Sequence, residues 1–352
     1  MNLKSLLLGS AAAMLAGTSS FAADAVVAEP EAVEYVRVCD AYGAGYFYIP
    51  GTERCMQLSG EVRFEYLILD SDLGTADDVD TDWRYRARFQ IRTANEPDFG
   101  TIRTRIRLES SSVDPVQQQV SLQALQLSIG GLEVGFFDNF WTTNTGYGNL
   151  FAANDGYYGY DQALYAQYTF EVAGFGVTAG VEQTIPDGGL GNNPDFSGEE
   201  LNLYAGANYG GSWGNVAGTI YYDNFQDEID YKVSLELRPI EGLRVKGWFL
   251  GGDGIYSSQA TGDTIFGGVA IDGDYAYGLS ASYTINDFTP YLGYSDTDSD
   301  AAPATLVAGV VWSPSSTDGL QVQLEGNFAL EDQGIISDAE PQLYRMRLIK
   351  SF

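Results

Sequence analysis

Histidine is absent from this chain of 352 residues, and that absence removes the side chain most often used as a general acid or base near neutral pH. It also removes the commonest zinc ligand, so Ser-His-Asp and Cys-His catalysis and most zinc sites are excluded, although carboxylate-only chemistry stays open. Basic residues are scarce: 18 Lys and Arg stand against 48 Asp and Glu. Because nucleic acid needs a cationic surface, we predict no nucleic-acid partner. From the absence of histidine we also predict no enzymatic activity, no metal ion and no cofactor.

Long hydrophobic runs are missing as well. Beyond the N terminus no stretch approaches the roughly 18 apolar residues that a membrane-spanning helix needs. At the N terminus, Lys4 precedes a short apolar stretch from Leu6 to Leu15, and Ser20 and Ala22 place small residues where a signal peptidase cuts. We predict a cleaved secretory signal peptide over residues 1–22, because the apolar stretch is too short for a retained anchor.

Cysteine is limited to Cys39 and Cys55, which lie 16 positions apart in a chain that we expect to be exported. An oxidising compartment favours a disulfide between them, and two thiols without histidine do not make a zinc site. We predict that residues 23–55 form an N-terminal segment that contains a disulfide loop.

The sequence is rich in aromatic residues and glycine, with 24 Tyr, 18 Phe and 42 Gly. Tyr and Phe favour strands and lipid–water boundaries, and glycine suits tight turns. From Trp83 to Arg92, and again from Ile102 to Glu109, polar and apolar residues alternate, so that a strand would place them on opposite faces. Segments of about ten alternating residues between turns indicate a transmembrane β-barrel.

Sixteen such segments predict an all-β fold, a transmembrane antiparallel barrel of about sixteen strands over residues 56–352. The predicted strands are 57–69, 83–92, 102–109, 120–129, 132–137, 163–172, 177–183, 201–209, 216–223, 229–238, 243–250, 274–285, 289–295, 305–313, 320–331 and 343–352. Short turns alternate with long loops at 70–82, 138–161, 185–200, 252–273 and 332–340, and we assign the long loops to the outer side. Their acidic residues are expected to be solvated charges at the mouth, not a calcium site.

Arginine is concentrated in the first three predicted strands and the last one. Alternation turns ten of these side chains to one face, on which Glu61, Glu65 and Glu109 also lie: Arg63, Arg84, Arg86, Arg88, Arg92, Arg103, Arg105, Arg107, Arg345 and Arg347. Cations on the lipid face would each cost about 2–4 kcal/mol near the bilayer midplane, so the face implies a hydrated lumen. Two interpretations follow, a brace of ion pairs or an electropositive wall at the pore constriction, and we favour the wall.

The loop at 138–161 follows the fifth strand and is long and aromatic for a simple exposed turn. We predict that this third outer loop folds inward, so that Asp138, Asp155 and Asp161 oppose the arginines and create a transverse field across the constriction. An outward lid or a contact between subunits is the alternative.

The last predicted strand ends in Phe352, and Tyr344, Met346 and Leu348 share its face. This terminus resembles the signal by which the barrel assembly machinery recognises outer-membrane proteins. Lys350 on the same face departs from the pattern, but its ammonium group can reach the headgroups.

The N-terminal segment carries the most specific resemblance. Residues 39–55 read CDAYGAGYFYIPGTERC, and residues 58–63 read LSGEVR. This block resembles the N-terminal signature of alphaproteobacterial (rhizobial-type) general porins. The strand pattern and Phe352 extend the resemblance over the whole mature chain.

The resemblance implies a homotrimeric porin of sixteen strands in the outer membrane, surrounded by lipid and lipopolysaccharide. It would pass small hydrophilic solutes and ions passively. The alternatives are a substrate-specific channel for sugars or organic anions, an enzyme built on a barrel, and a non-conducting structural barrel. Charge selectivity could favour either sign, because the wall is cationic and the loops are acidic.

Overall fold

Long antiparallel strands make up most of the computed structural model, which describes residues 37–70, 79–112, 120–152, 162–184, 201–224, 227–253, 274–298, 303–330 and 342–352. The strands are β1 (Phe47–Tyr48), β2 (Cys55–Asp70), β3 (Val79–Asn95), β4 (Ile102–Ser111), β5 (Ser121–Ile129), β6 (Leu132–Asp138), β7 (Gln162–Val172), β8 (Phe175–Thr184), β9 (Asn202–Gly211), β10 (Gly214–Asp223), β11 (Glu228–Leu237), β12 (Leu243–Gly252), β13 (Tyr275–Tyr283), β14 (Phe288–Thr297), β15 (Thr305–Trp312), β16 (Leu320–Ala329) and β17 (Gln342–Ser351). A 3-10 turn spans Asp40–Tyr42, and a short helix, α1, spans Phe140–Thr145. The predicted signal peptide lies outside the described residues.

Each strand from β2 to β17 pairs antiparallel with the next, and β17 pairs with β2. The closing register places Arg347 opposite Glu65 and Arg345 opposite Leu67. Closure leaves no sheet edge with unpaired backbone groups, which is the arrangement that a strand-built membrane protein requires. The prediction of a closed antiparallel barrel of sixteen strands is confirmed.

The two faces of the sheet differ in chemistry because successive side chains point to opposite sides of a strand. On β11, Val233 is 50% exposed on one face, while Lys232 and Ser234 are buried on the other. The same division recurs from strand to strand. We call the two surfaces the apolar face and the polar face.

The hairpin of β2 and β3 is longer than predicted. Its register runs from Cys55 opposite Ala94 to Asp70 opposite Val79, so that β3 begins before the predicted start at residue 83. Asp80 and Asp82 lie in this extension. Acidic residues suggested a loop, but backbone pairing continues through them, and Asp82 forms an ion pair with Arg84 on the same face of β3 at 2.7 Å.

Tight turns join several strands at one end of the barrel. The β7–β8 turn contains Ala173 at φ 51° and Gly174 at φ 85°. Positive φ at both central residues is the geometry that matches the right-handed twist of a two-residue hairpin. The Gly130–Gly131 connection of β5 and β6 also has two residues, and the 96–101 connection of β3 and β4 has six.

The N-terminal segment forms a small disulfide hairpin over residues 39–55. A disulfide links Cys39 to Cys55, as predicted, and β1 pairs with the start of β2. Both cysteines pack with Tyr46 and with the fully buried Ala94 of β3. Ala94 and Cys55 occupy polar-face positions of their strands, so the hairpin covers the polar face at the end of the barrel that carries the β3–β4 turn.

None of the helices in the described ranges has the length and apolar character needed to cross a membrane.

Candidate functional site

The predicted arginines converge on one part of the polar face, because closure of the barrel brings β17 beside β2, β3 and β4. The register places Arg63 opposite Arg86 and Arg92 opposite Arg105. These pairs place like charges side by side, which is unfavourable unless other groups hold or neutralise them. The partners of the guanidinium groups divide nine of the ten arginines into two groups, and Arg345 belongs to neither.

The first, which we call the paired group, forms ion pairs. It lies at the middle of the strands and toward the end away from the disulfide hairpin. Arg86 contacts Glu61 at 2.6 Å and Glu109 at 3.9 Å, and Arg88 also pairs with Glu109. Its members are Arg63, Arg84, Arg86, Arg88 and Arg347, with the carboxylates Glu61, Glu65, Asp82 and Glu109.

Glu65 is the centre of the paired group at the barrel closure. It pairs with Arg347 across the β17–β2 seam, and its Oε1 lies 3.7 Å from Arg63 Nε. Arg345 lies two residues from Arg347 on the same face and is also buried. Ionic hydrogen bonds are stronger than neutral ones, so this cluster strengthens the seam between the first and last strands of the barrel.

The second, which we call the unpaired group, consists of Arg92, Arg103, Arg105 and Arg107. Within the described residues none of the four forms an ion pair. Amide oxygens hold two of them instead. Arg105 donates to Gln90 at 2.6 Å and to Gln126 at 3.0 Å, and Arg92 donates to Gln57 at 3.2 Å.

An aromatic ring supports the other side of this group. The Cζ atoms of Arg105 and Arg107 lie 4.3 and 4.9 Å from the centre of the Phe137 ring. These are cation–π distances, and such contacts orient a guanidinium group without neutralising it.

The unpaired group lies close to the disulfide hairpin. Gln57, which holds Arg92, donates its own amide hydrogen to the carbonyl of Ala44 in the hairpin at 2.9 Å. Arg103 is the second residue of β4, directly after the turn that the hairpin flanks. The hairpin therefore fixes one boundary of this cationic surface.

The segment after β6 crosses to other strands of the barrel. Asn139 caps α1 by accepting the backbone N–H of Thr142, and the fully buried Trp141 donates its backbone N–H to the hydroxyl of Tyr221 on β10 at 3.0 Å. Phe140 stacks on Tyr204 of β9 with ring centres 5.0 Å apart. The helix is therefore held on the polar face of β9 and β10.

Residues beyond α1 reach strands that are farther round the barrel. The backbone N–H of Leu150 donates to Ser280 on β13 at 3.0 Å, and Gln323 on β16 donates to the carbonyl of Phe151 at 2.7 Å. The segment from Asn139 to Ala152 thus contacts polar-face side chains from β9 to β16. We call it the crossing segment.

Two buried lysines, which the sequence reasoning did not single out, fix the turn after α1. Lys232 donates to the carbonyl of Gly146 at 3.1 Å, and Lys246 donates to the carbonyl of Tyr147. Both occupy polar positions in alternating strands, so the pattern that identified the arginines could also have identified them. They are cations at the C-terminal end of a helix, where exposed carbonyl groups attract positive charge.

Of the three predicted acidic partners, only Asp138 is described. It accepts hydrogen bonds from Tyr147 and Gln162 and is buried at the end of β6. It follows Phe137, whose ring supports Arg105 and Arg107, so the carboxylate stands beside the arginines and does not face them from across the barrel. Asp155 and Asp161 lie outside the described residues.

Comparison with known proteins gives consistent results. Residues 24–346 match the model of the Porin_2 family, described as a porin subfamily. Porin Omp2b of Brucella canis is 38% identical over 291 residues, which cover 76% of this chain and 77% of that protein. Porin Omp2b of Brucella abortus (strain 2308) gives the same identity and coverage.

Solved structures share the fold at lower identity. One mutant of the Rh. blastica porin aligns with 84% of this chain and 100% of its own at a TM-score of 0.56 and 15% identity. Another aligns with the same coverage at a TM-score of 0.57 and 16% identity. At these identities the likeness concerns the barrel fold.

Proposed function

The chain belongs to the porin subfamily, and from this premise we propose that it forms a passive, water-filled pore through the outer membrane for small hydrophilic solutes and ions. Its barrel is closed, one face carries exposed apolar side chains, and the other is polar. An apolar band toward lipid and a polar interior are what such a pore requires. Channel function accounts for the polar face without catalysis, in keeping with the proposal that the protein has no enzymatic activity.

The crossing segment is the observation that carries the proposal. It contacts Tyr204 on β9 and Gln323 on β16, strands that are seven apart in a ring of sixteen. A short segment can reach both only through the interior of the barrel. We infer that the polar face lines the lumen and that this third outer loop folds inward to form one side of a constriction.

The arginines form the other side of this constriction. The paired group, the unpaired group and Arg345 line β2–β4 and β17, while the crossing segment lies against β9–β13 and β16. The narrowed pore would run between them, with a cationic wall on one side. Since long loops of such barrels face outward, the disulfide hairpin and the short β3–β4 turn lie at the periplasmic end.

Assembly and export follow from the chain ends. Phe352 exchanges backbone hydrogen bonds with Gly60, so the last residue completes the seam with β2. We propose that the barrel assembly machinery reads this final strand, that residues 1–22 are removed as a signal peptide, and that residues 56–352 form the barrel. We further propose a homotrimer embedded in outer-membrane lipid and lipopolysaccharide.

Single-channel recording of the refolded protein in a planar bilayer tests the pore and the constriction together. We expect ohmic conductance, with steps in groups of three from a trimer. Trp141→Ala removes the buried anchor of the crossing segment and should increase conductance or current noise. Trp312→Ala on the partly exposed apolar side of β15 is the matched control and should leave both unchanged.

Two outcomes would contradict parts of this proposal. Correctly folded protein that conducts no current would refute the pore. Normal conductance in the wild type with identical traces from both tryptophan variants would leave the pore intact but refute the constriction. A decrease of the ion current on addition of sugars would distinguish a sugar-specific channel from a general pore. The other alternative is a channel specific for organic anions.

A further inference from the structure

We propose that the unpaired group, Arg92, Arg103, Arg105 and Arg107, is a binding subsite for a small multivalent organic carboxylate on its way through the pore. The inference rests on the proposed function and adds to it a place and a solute class. It starts from a difference in partners within one wall. The paired group is held by carboxylates, whereas amides and an aromatic ring hold Arg92, Arg105 and Arg107 of the unpaired group.

Amide partners have a specific electrostatic consequence. A carboxylate orients a guanidinium group and cancels its charge, whereas the oxygens of Gln57, Gln90 and Gln126 only orient it. Arg92 and Arg105 occupy directly opposed positions in the β3–β4 register, so two full charges lie side by side. An anion that enters between them would relieve this repulsion and accept charge-assisted hydrogen bonds.

The carboxylate that contacts Gln126 is bound by neutral groups. Glu133 on β6 accepts hydrogen bonds from Tyr165 at 2.7 Å, from Gln167 at 3.1 Å and from Gln126 at 3.3 Å. These donors hold Glu133 as an acceptor for neutral groups, and it forms no ion pair with a described arginine.

Asp138 stands beside Arg105 and Arg107 and offsets part of their charge, but it also accepts hydrogen bonds from Tyr147 and Gln162. Four guanidinium groups without a carboxylate of their own therefore keep a net positive charge on this part of the wall.

Spacing selects the class of ligand. Arg103, Arg105 and Arg107 alternate along β4, and residues on one face of a strand repeat about every 7 Å. At such spacing, two carboxylate groups of one small molecule can each bind a different guanidinium group. A monocarboxylate can bind at only one of these positions. Phe137 on one side and the disulfide hairpin at the periplasmic end bound the subsite.

The test measures block of the chloride current by citrate in planar bilayers. The double variant Arg105→Gln with Arg107→Gln removes two charges from the unpaired group. Arg84→Gln with Arg86→Gln removes two charges from the paired group and is the matched control. We expect citrate to reduce the wild-type current at concentrations at which acetate does not. We also expect its apparent affinity to fall at least tenfold in the first variant and less than threefold in the control.

Each result has a separate meaning. Equal losses of affinity in the two double variants would show a general effect of lumen charge and would overturn the subsite. Chloride conductance without citrate block in the wild type would also overturn the subsite while leaving the pore in place. Absence of any conductance from folded protein would refute the proposed function itself. Folding of every variant is checked by the heat-dependent gel mobility of the barrel.

Discussion

Two groups of arginines lie on one face of the same neighbouring strands and differ in what holds them. In the paired group, Arg86 and Arg88 each contact the carboxylate of Glu109. In the unpaired group, Arg105 is held by two glutamine amides and by the face of Phe137. The comparison shows that position on a face does not determine the role of a charged residue. The partners determine it, because a carboxylate holds a guanidinium group and neutralises its charge, whereas an amide oxygen only orients it.

In the proposed pore, this difference gives each of the two interpretations of the arginines its own place on the wall. The ion-paired brace describes the barrel seam, where Glu65 joins Arg63 and Arg347, and the part of the wall farther from the disulfide hairpin. The electropositive surface describes the part of the wall next to the disulfide hairpin. The experiments below separate stability, which should depend on the paired group, from solute binding, which should depend on the unpaired group.

The largest expected effect follows from removal of a carboxylate from the paired group. We predict that Glu65→Gln lowers the free energy of unfolding by about 3 kcal/mol, because it leaves the buried Arg347 without its ionic partner. Urea unfolding of the barrel in lipid vesicles, followed by tryptophan fluorescence, measures the change. Glu171→Gln at an exposed site of β7 is the control, with a change of about 0.5 kcal/mol or less. A loss at Glu65 no larger than the control would show that the ion pairs do not brace the seam.

A smaller effect is expected at the opposite wall. Lys232→Met keeps most of the side-chain volume but removes the donor to the carbonyl of Gly146 and the cation near Trp141. We predict a loss of about 2 kcal/mol in unfolding free energy, since a buried carbonyl loses its charged partner. Open-channel noise should rise because the crossing segment loosens.

Val233→Met is the control for this lysine, since Val233 is the next residue on β11 and lies on the apolar face. This substitution should change the free energy of unfolding by about 0.5 kcal/mol or less and should leave current noise unchanged. Open-channel current noise at the wild-type level in Lys232→Met would show that the lysine does not hold the crossing segment.

The sequence predicted the faces of the strands well and their partners poorly. Alternation was sufficient to place all ten arginines on the polar face, because the period of a strand is independent of its neighbours. Which arginines are paired depends on register. The β2–β3 register brings Glu61 within 2.6 Å of Arg86, and closure of the barrel places Glu65 opposite Arg347. The acidic residues at the start of β3 had suggested a loop, so the length of this hairpin was not predicted.

Long-range packing explains the other differences. The contact of the disulfide hairpin with Ala94, and that of the crossing segment with Lys232 and Lys246, join residues that are far apart in the sequence. No local period encodes such contacts. The placement of Asp138 beside the arginines follows from the end of β6 at that residue, whereas the prediction had assigned Asp138 to the loop.

A modest effect should couple the disulfide hairpin to the unpaired group. Reduction of the Cys39–Cys55 bond frees the loop that holds Gln57, which in turn orients Arg92. We predict that reductant lowers the apparent affinity for citrate about threefold, equal to about 0.65 kcal/mol, while chloride conductance stays within experimental error. The double variant Cys39→Ser with Cys55→Ser should show the lowered affinity from the outset and no response to reductant. A response of that variant would mean that the reductant acts elsewhere.

The smallest effect tests the ring beneath the unpaired group. Phe137→Leu keeps an apolar contact under Arg105 and Arg107 but removes the cation–π attraction, which contributes about 0.5–1 kcal/mol at partly exposed sites. We predict a loss of about 0.5 kcal/mol in unfolding free energy and an approximately twofold weaker citrate block. Phe136→Leu, on the neighbouring position of β6 and the other face, should cost stability by loss of packing but leave citrate block unchanged. If both leucine variants weakened the block equally, the ring would act through the packing of β6, and the orientation of the unpaired group would have to come from its glutamine partners alone.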